Sequence, residues 1–186
     1  MRYLLSRVNY LEILNEELTF TRIKHPFEIV KLDSREATYT TVVDGIKYNI
    51  EFDKAFLDIY DNAWARGYDV FGNKEDYLQT NKNPLNIINA ITCITEDFLN
   101  RNNVDVLVIQ HINMDNEVVT DKINKRANIN FKYLKDISGY KTKYFNVVYD
   151  VKSLQSICLL YRNDIDINLI IDYFNTLPGK HIEILP

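Results

Sequence analysis

The stretch from Asn83 to Ile112 constrains the fold more than any other part of this chain. Asn83 offers a side-chain oxygen to an orphan backbone N–H, and Pro84 suits the first helical position, where its missing donor costs nothing. Ile87, Ile91, Ile94 and Phe98 then recur at three- and four-residue spacing, with Asn86, Asn89, Cys93, Glu96 and Asn100 on the opposite side. Asn102-Asn103 ends this predicted helix, because Asn tolerates the left-handed backbone that closes one. The next run, Val104-Asp105-Val106-Leu107-Val108-Ile109, is almost wholly apolar and rich in β-branched residues. It reads as a strand covered on both faces. A helix stripe and a two-sided strand each need cover, so together they form the expected centre of the core.

The first half carries one equally clear signal. Thr38–Val43 and Ile46–Phe52 alternate in polarity around Asp44-Gly45, a dipeptide suited to the positive φ angles of a type I′ hairpin turn. Ile46, Tyr48, Ile50 and Phe52 share one face, and Lys47, Asn49 and Glu51 the other. Upstream, residues 19–23 and 27–32 read as short strands around His25-Pro26. Residues 2–18 fit a helical stripe of Leu4, Val8, Leu11 and Leu18. Tyr3, Leu5, Tyr10 and Ile13 add apolar character on the other side, a surplus that implies burial against another surface, a second subunit included. Residues 53–82 lack strong periodicity and are expected to form a long excursion, a feature that usually serves function or an interface. Trp64, Tyr68 and Phe71 are its candidate interaction residues, with capping of the sheet end by Tyr68, Val70 and Phe71 as the alternative role.

After the central strand a second helix is predicted at about Thr120–Ser138, capped by Thr120 and ended by Gly139. Ile123, Ala127, Phe131, Leu134 and Ile137 form its apolar stripe, and Lys122, Lys125, Arg126, Lys132 and Lys135 its opposite face. Strands at 143–151 and 156–161, a short helix through Ile167, Ile170, Ile171 and Phe174, and an edge strand at 182–185 complete the reading. Strands grouped early with helices inserted later predict an α+β fold: a mostly antiparallel sheet, two main helices packed on it, and arms at both ends. The expected boundaries are an arm at 1–35, a core domain at 36–162, and a C-terminal helix and tail at 163–186.

From about Tyr39 to Arg162 this layout resembles small α+β domains encoded by crAss-like or related bacteriophages and by some Bacteroidetes. The resemblance rests on Tyr48-Asn-Ile-Glu-Phe52, Phe71-Gly72-Asn73, Ile91-Thr-Cys-Ile-Thr-Glu-Asp-Phe98, and Lys125-Arg126 followed by Phe131. It implies a phage origin, synthesis in a host cytoplasm and a place in the virion. It carries no activity with it.

Chemistry-bearing constellations are scarce. Five glycines form no phosphate-cradling loop, and Cys93 and Cys158 are too few for a disulfide framework or a metal cluster. His25, His111 and His181 lie apart from any Cys or paired acid at ligand spacing. His111-Ile-Asn and His181-Ile-Glu lack the hydroxyl residue two positions on that twin-histidine phosphoesterases need. No catalytic, cofactor or metal residue is therefore assigned. No apolar run reaches the roughly 18 residues of a membrane helix and no signal peptide is read at the start, so a soluble protein of a reducing cytoplasm is expected.

One charge feature stands out. Asp121–Lys143 holds seven Lys or Arg and two Asp, a local +5 inside a chain of net charge −4, which leaves −9 on the remainder. Such polarity suits head-to-tail packing against copies of the chain, contact with nucleic-acid phosphates, or a solvated helix face. Three functional readings follow. The first is a non-enzymatic virion assembly or connector component that contacts itself or other phage structural proteins. The second is a nucleic-acid-binding or host-takeover regulator acting through residues 120–138. The third is a small hydrolase with a site in 53–82, for which Asp69 and Asp76 would be the residues to change.

Overall fold

The computed structural model describes residues 23–55, 60–71, 84–112, 132–149, 153–176 and 180–183. Among them are eight strands and two long helices: β1 (Glu28–Leu32), β2 (Glu36–Val43), β3 (Ile46–Lys54), β4 (Ala63–Phe71), α1 (Pro84–Asn102), β5 (Val106–Ile112), β6 (Tyr140–Tyr149), β7 (Ser153–Arg162), α2 (Ile167–Thr176) and β8 (Lys180–Glu183). The pairs β1–β2, β2–β3, β5–β7, β6–β7 and β6–β8 are antiparallel, and β4–β5 is parallel. The fold is α+β with mostly antiparallel pairing. The chain divides into two compact units, Met1–Asp53 with Gly67–Asn102 and Lys54–Arg66 with Asn103–Pro186. β1 pairs with β2, and α2 packs into the core of the second unit.

In the first unit the hairpin forms where the Asp-Gly turn demands it. Val43 pairs with Ile46, and Asp44 and Gly45 take φ of 50° and 81°. Tyr48, Ile50 and Phe52 are buried on the core face while Lys47 is exposed on the other. α1 starts at Pro84 and runs to Asn102, and Asn103 closes it at φ 45°. Its stripe meets the hairpin through aromatic rings: Phe52 stacks on Phe98 at 3.8 Å, and the Tyr39 ring meets both edge-on. The polar side of α1 is less exposed than its sequence suggests. Asn89 is buried, and Thr92 and Thr95 are buried with their hydroxyls donating to Ile88 O and Ile91 O. That internal bonding lets a helix carry hydroxyls into a core at little cost.

In the second unit β5 is covered as expected, with Val106, Leu107, Val108 and Ile109 all buried. Val106 and Val108 join Leu159, Tyr161, Ala63, Ile170 and Phe174 in one apolar cluster. The opposite face holds Leu107 across from Leu160 and Ile109 across from Cys158. α2 begins at an Asp166 cap, whose Oδ1 accepts from Asn168 N at 2.9 Å. One expectation requires correction, and another lies mostly outside the described residues. Residues 63–71 of the predicted excursion are strand β4, and 72–83 lie outside the described residues. The predicted helix at 120–138 is described only at its end, where Lys132–Leu134 are helical, Leu134 and Ile137 are buried, and Gly139 takes φ 84° before β6.

The stacked ring pair makes the first unit sensitive to a single truncation. Phe98→Ala removes the ring against which both Phe52 and Tyr39 pack, and a loss of about 3–5 kcal/mol is expected. Urea unfolding followed by circular dichroism checks it. A change below about 1 kcal/mol would show that the rings do not organise this unit.

Candidate interaction surface

β1 is a strand whose five residues are all exposed, although three of them are large and apolar. Ile29 is 38%, Val30 63% and Leu32 43% exposed. Most exposed apolar residues are scattered singly and need no explanation; a contiguous set on an edge strand does. Among the described residues β1 pairs with β2 alone, so its other edge offers backbone N–H and C=O groups for pairing.

Local chemistry holds this edge in place. The β1–β2 turn is closed by Asp33, whose Oδ1 accepts from Arg35 N and Glu36 N at 2.8 and 2.9 Å. Lys31 pairs with Glu36 and, at 3.5 Å, with Asp33 across the same turn. The lead-in segment is tied down as well. Thr41 Oγ1 donates to Pro26 O at 2.7 Å, Asn89 Nδ2 donates to Ile23 O at 2.5 Å, and the Phe27 ring lies 5.6 Å from that of Tyr39. An edge anchored at both ends loses little conformational entropy on meeting a partner, which favours its use as a binding element. Opposite Tyr39 and Thr38 the register shifts between Ile29 and Lys31, so Val30 is an extra, bulged residue.

The residues singled out from the sequence fall in different places. Lys132 and Lys135 are exposed, whereas Lys122, Lys125 and Arg126 lie outside the described residues. Tyr68 and Phe71 belong to β4. Trp64 is 2% exposed and serves the core, not a surface. Its Nε1 donates to Asn62 Oδ1 at 2.7 Å and Lys54 Nζ sits 4.8 Å from its ring centroid. Asn62 also accepts from Lys54 Nζ at 2.8 Å and donates through Nδ2 to Asn103 O at 2.7 Å. This small knot gives a buried indole its acceptor, which is why an aromatic from the supposed excursion can sit inside.

The titratable groups that depart from ordinary behaviour are structural. Burial holds the Tyr39 hydroxyl well above its usual value, reinforced by the Asp97 carboxylate to which it donates at 3.2 Å. Arg101 closes that arrangement with a 2.6 Å bond to Asp97, which raises the guanidinium further. Arg162 is forked onto Asp164 at 3.0 and 3.1 Å and reaches Asp105 at 3.2 Å. It clamps the start of β5 to the end of β7. Burial pushes the Cys158 thiol from 9.0 up to about 12, against the opposing pull of the Arg66 charge. Among the described residues no group of three or more His, Cys, Asp or Glu could hold a metal ion, and no helix is long and apolar enough to cross a membrane.

Comparison with known proteins adds no assignment. No protein-family model matches the chain, and a search of curated proteins finds no match. Sequence reading found β1 as a strand but missed that it is an exposed edge. Two marks were available, since Pro26, two residues before the strand, and Lys31 within it are devices of edge strands.

Two outcomes check this placement. In the folded protein Cys93, half-buried, reacts with a thiol reagent before Cys158, which reacts only on unfolding. Because the folded thiol keeps its proton where the unfolded one has lost it, Cys158 contributes stability below pH 9.0 that is lost as pH rises toward about 12. Denaturation midpoints from pH 8 upward should therefore fall, and Cys158→Ala should flatten that fall. Asn62→Ala removes the indole's acceptor and should destabilise by about 1–3 kcal/mol, read from the emission of Trp64, the sole tryptophan.

Proposed function

We propose that the protein acts through protein–protein contacts, as a non-enzymatic assembly or connector component of a phage particle. The observation that supports this reading is the anchored, exposed edge of β1, with Ile29, Val30 and Leu32 presented to solvent. Edge strands bind partners by extending the sheet: backbone bonds supply affinity and alternate side chains supply selectivity. The resemblance to small phage domains supplies the setting, which is a virion or its assembly in a host cytoplasm. Partners are other copies of the chain or other phage structural proteins.

A second reading is nucleic-acid binding through the basic segment Asp121–Lys143. It draws support from the local charge of +5 and from the exposure of Lys132 and Lys135. The two readings part on salt and ligand. Light scattering after gel filtration, at low and high salt, is expected to give a mass above that of one chain that falls as salt rises. Titration with labelled DNA and RNA is expected to show no binding. A monomer at both salts that binds nucleic acid, and loses that binding in Lys132→Glu/Lys135→Glu, would replace assembly with the second reading.

A further inference from the structure

The edge of β1 is complementary to itself. On β2 the residues opposite Ile29 and Leu32 are Tyr39 and Ala37, both buried on the core face, while Lys31 and Glu28 lie opposite Thr38 and Thr40 on the other. With Val30 set aside by the bulge, Phe27, Ile29 and Leu32 share one face of the strand, and Glu28 and Lys31 share the other. Two antiparallel copies of a strand related by a twofold axis must pair residues of like face, so the axis must lie midway between a residue and its own copy. An axis at Ile29 places Ile29 against its own copy, Glu28 against Lys31 twice, and Phe27 against Leu32 twice. Every cross-strand pair is then apolar with apolar or opposite in charge, the arrangement that stabilises sheets; like charges directly opposite would weaken it.

We infer that β1 joins a second copy of this chain, edge to edge and antiparallel, in the register centred on Ile29. This rests on the protein-contact reading above and specifies its partner. The contact is isologous and short, so it forms a dimer whose population depends on concentration. Lys31 brings its own acidic neighbours, Asp33 and Glu36, to the seam, and the partner's Glu28 adds a third carboxylate around the ammonium. The two symmetry-related Glu–Lys pairs are exposed, so salt weakens the dimer.

Exchanging the charges tests the register with the full-length chain. Glu28→Lys alone sets Lys against Lys at both ends of the seam, and Lys31→Glu alone sets Glu against Glu. Each variant should be monomeric in light scattering at concentrations where the wild type is dimeric, with an unchanged circular dichroism spectrum. Mixed in equal amounts, the two variants should form a heterodimer, since both charged positions of one copy then carry lysine and face glutamate in the other. Recovery on mixing separates a lost contact from a damaged fold, because two misfolded variants would not restore each other. A wild type that stays monomeric at every concentration overturns the inference. So does an oligomer whose mass neither single variant changes; in that case the protein still works through protein contacts, but by another surface. A monomer that binds nucleic acid overturns the functional reading itself.

Discussion

A strand with apolar side chains on both faces survives in water only if both faces are covered and both edges paired. β5 meets that demand, with β4 parallel on one side, β7 antiparallel on the other, and α2 supplying Ile170 and Phe174 to one face. Much of the second unit follows from it. β7 must itself be apolar where it lines β5, and Ile157–Leu160 are all buried. Arg162 then fixes the end of β7 to the start of β5 through Asp105. Asn62 ties the entry of β4 to Asn103, one residue before buried Val104. The polar groups here mostly finish backbone and indole hydrogen bonds, which is what a core with so few spare donors requires.

The first unit solves a different problem. Its hairpin has one apolar face, and α1 covers it with rings packed closely enough to stack. Buried tyrosine hydroxyls need partners, and Asp97 gives Tyr39 one while Arg101 balances the charge of that carboxylate. The next strand outward, β1, has no such cover among the described residues. The same hairpin therefore presents a finished face to its helix and an unfinished edge to its surroundings. In water such an edge is either guarded or used. The bulge at Val30 and the charge on Lys31 guard against indiscriminate pairing. In the proposed dimer Glu28 would stand opposite Lys31 of a copy, the one pairing these devices permit.

Local chemistry made the strongest elements legible in the sequence. Pro84 at a helix start, Asn103 in the left-handed region and Asp44-Gly45 in a hairpin turn are decided within a few residues, and all three stand where the sequence placed them. β4 was not legible, because Ala63–Phe71 mixes Arg66, Gly67 and Asp69 with its apolar residues and shows no clean alternation. Pairing, as with β5 along Ala63–Arg66, makes it a strand, and pairing is a long-range property. Trp64 looked like a surface anchor for the same reason; its burial depends on Asn62, two residues away but meaningful only once both are folded. The candidate surface was half legible. Phe27–Leu32 reads as a strand on composition, but which edge stays open depends on the order of neighbours, and no local pattern encodes that.

The most direct measurement is backbone amide hydrogen exchange of Ile29–Leu32 as a function of protein concentration. If β1 is the contact, its protection rises with concentration while that of the β2–β3 hairpin stays constant, because only the seam is formed by association. Protection of β1 that is low at all concentrations, or high and independent of concentration, would contradict the account and assign that edge to solvent or to the chain itself.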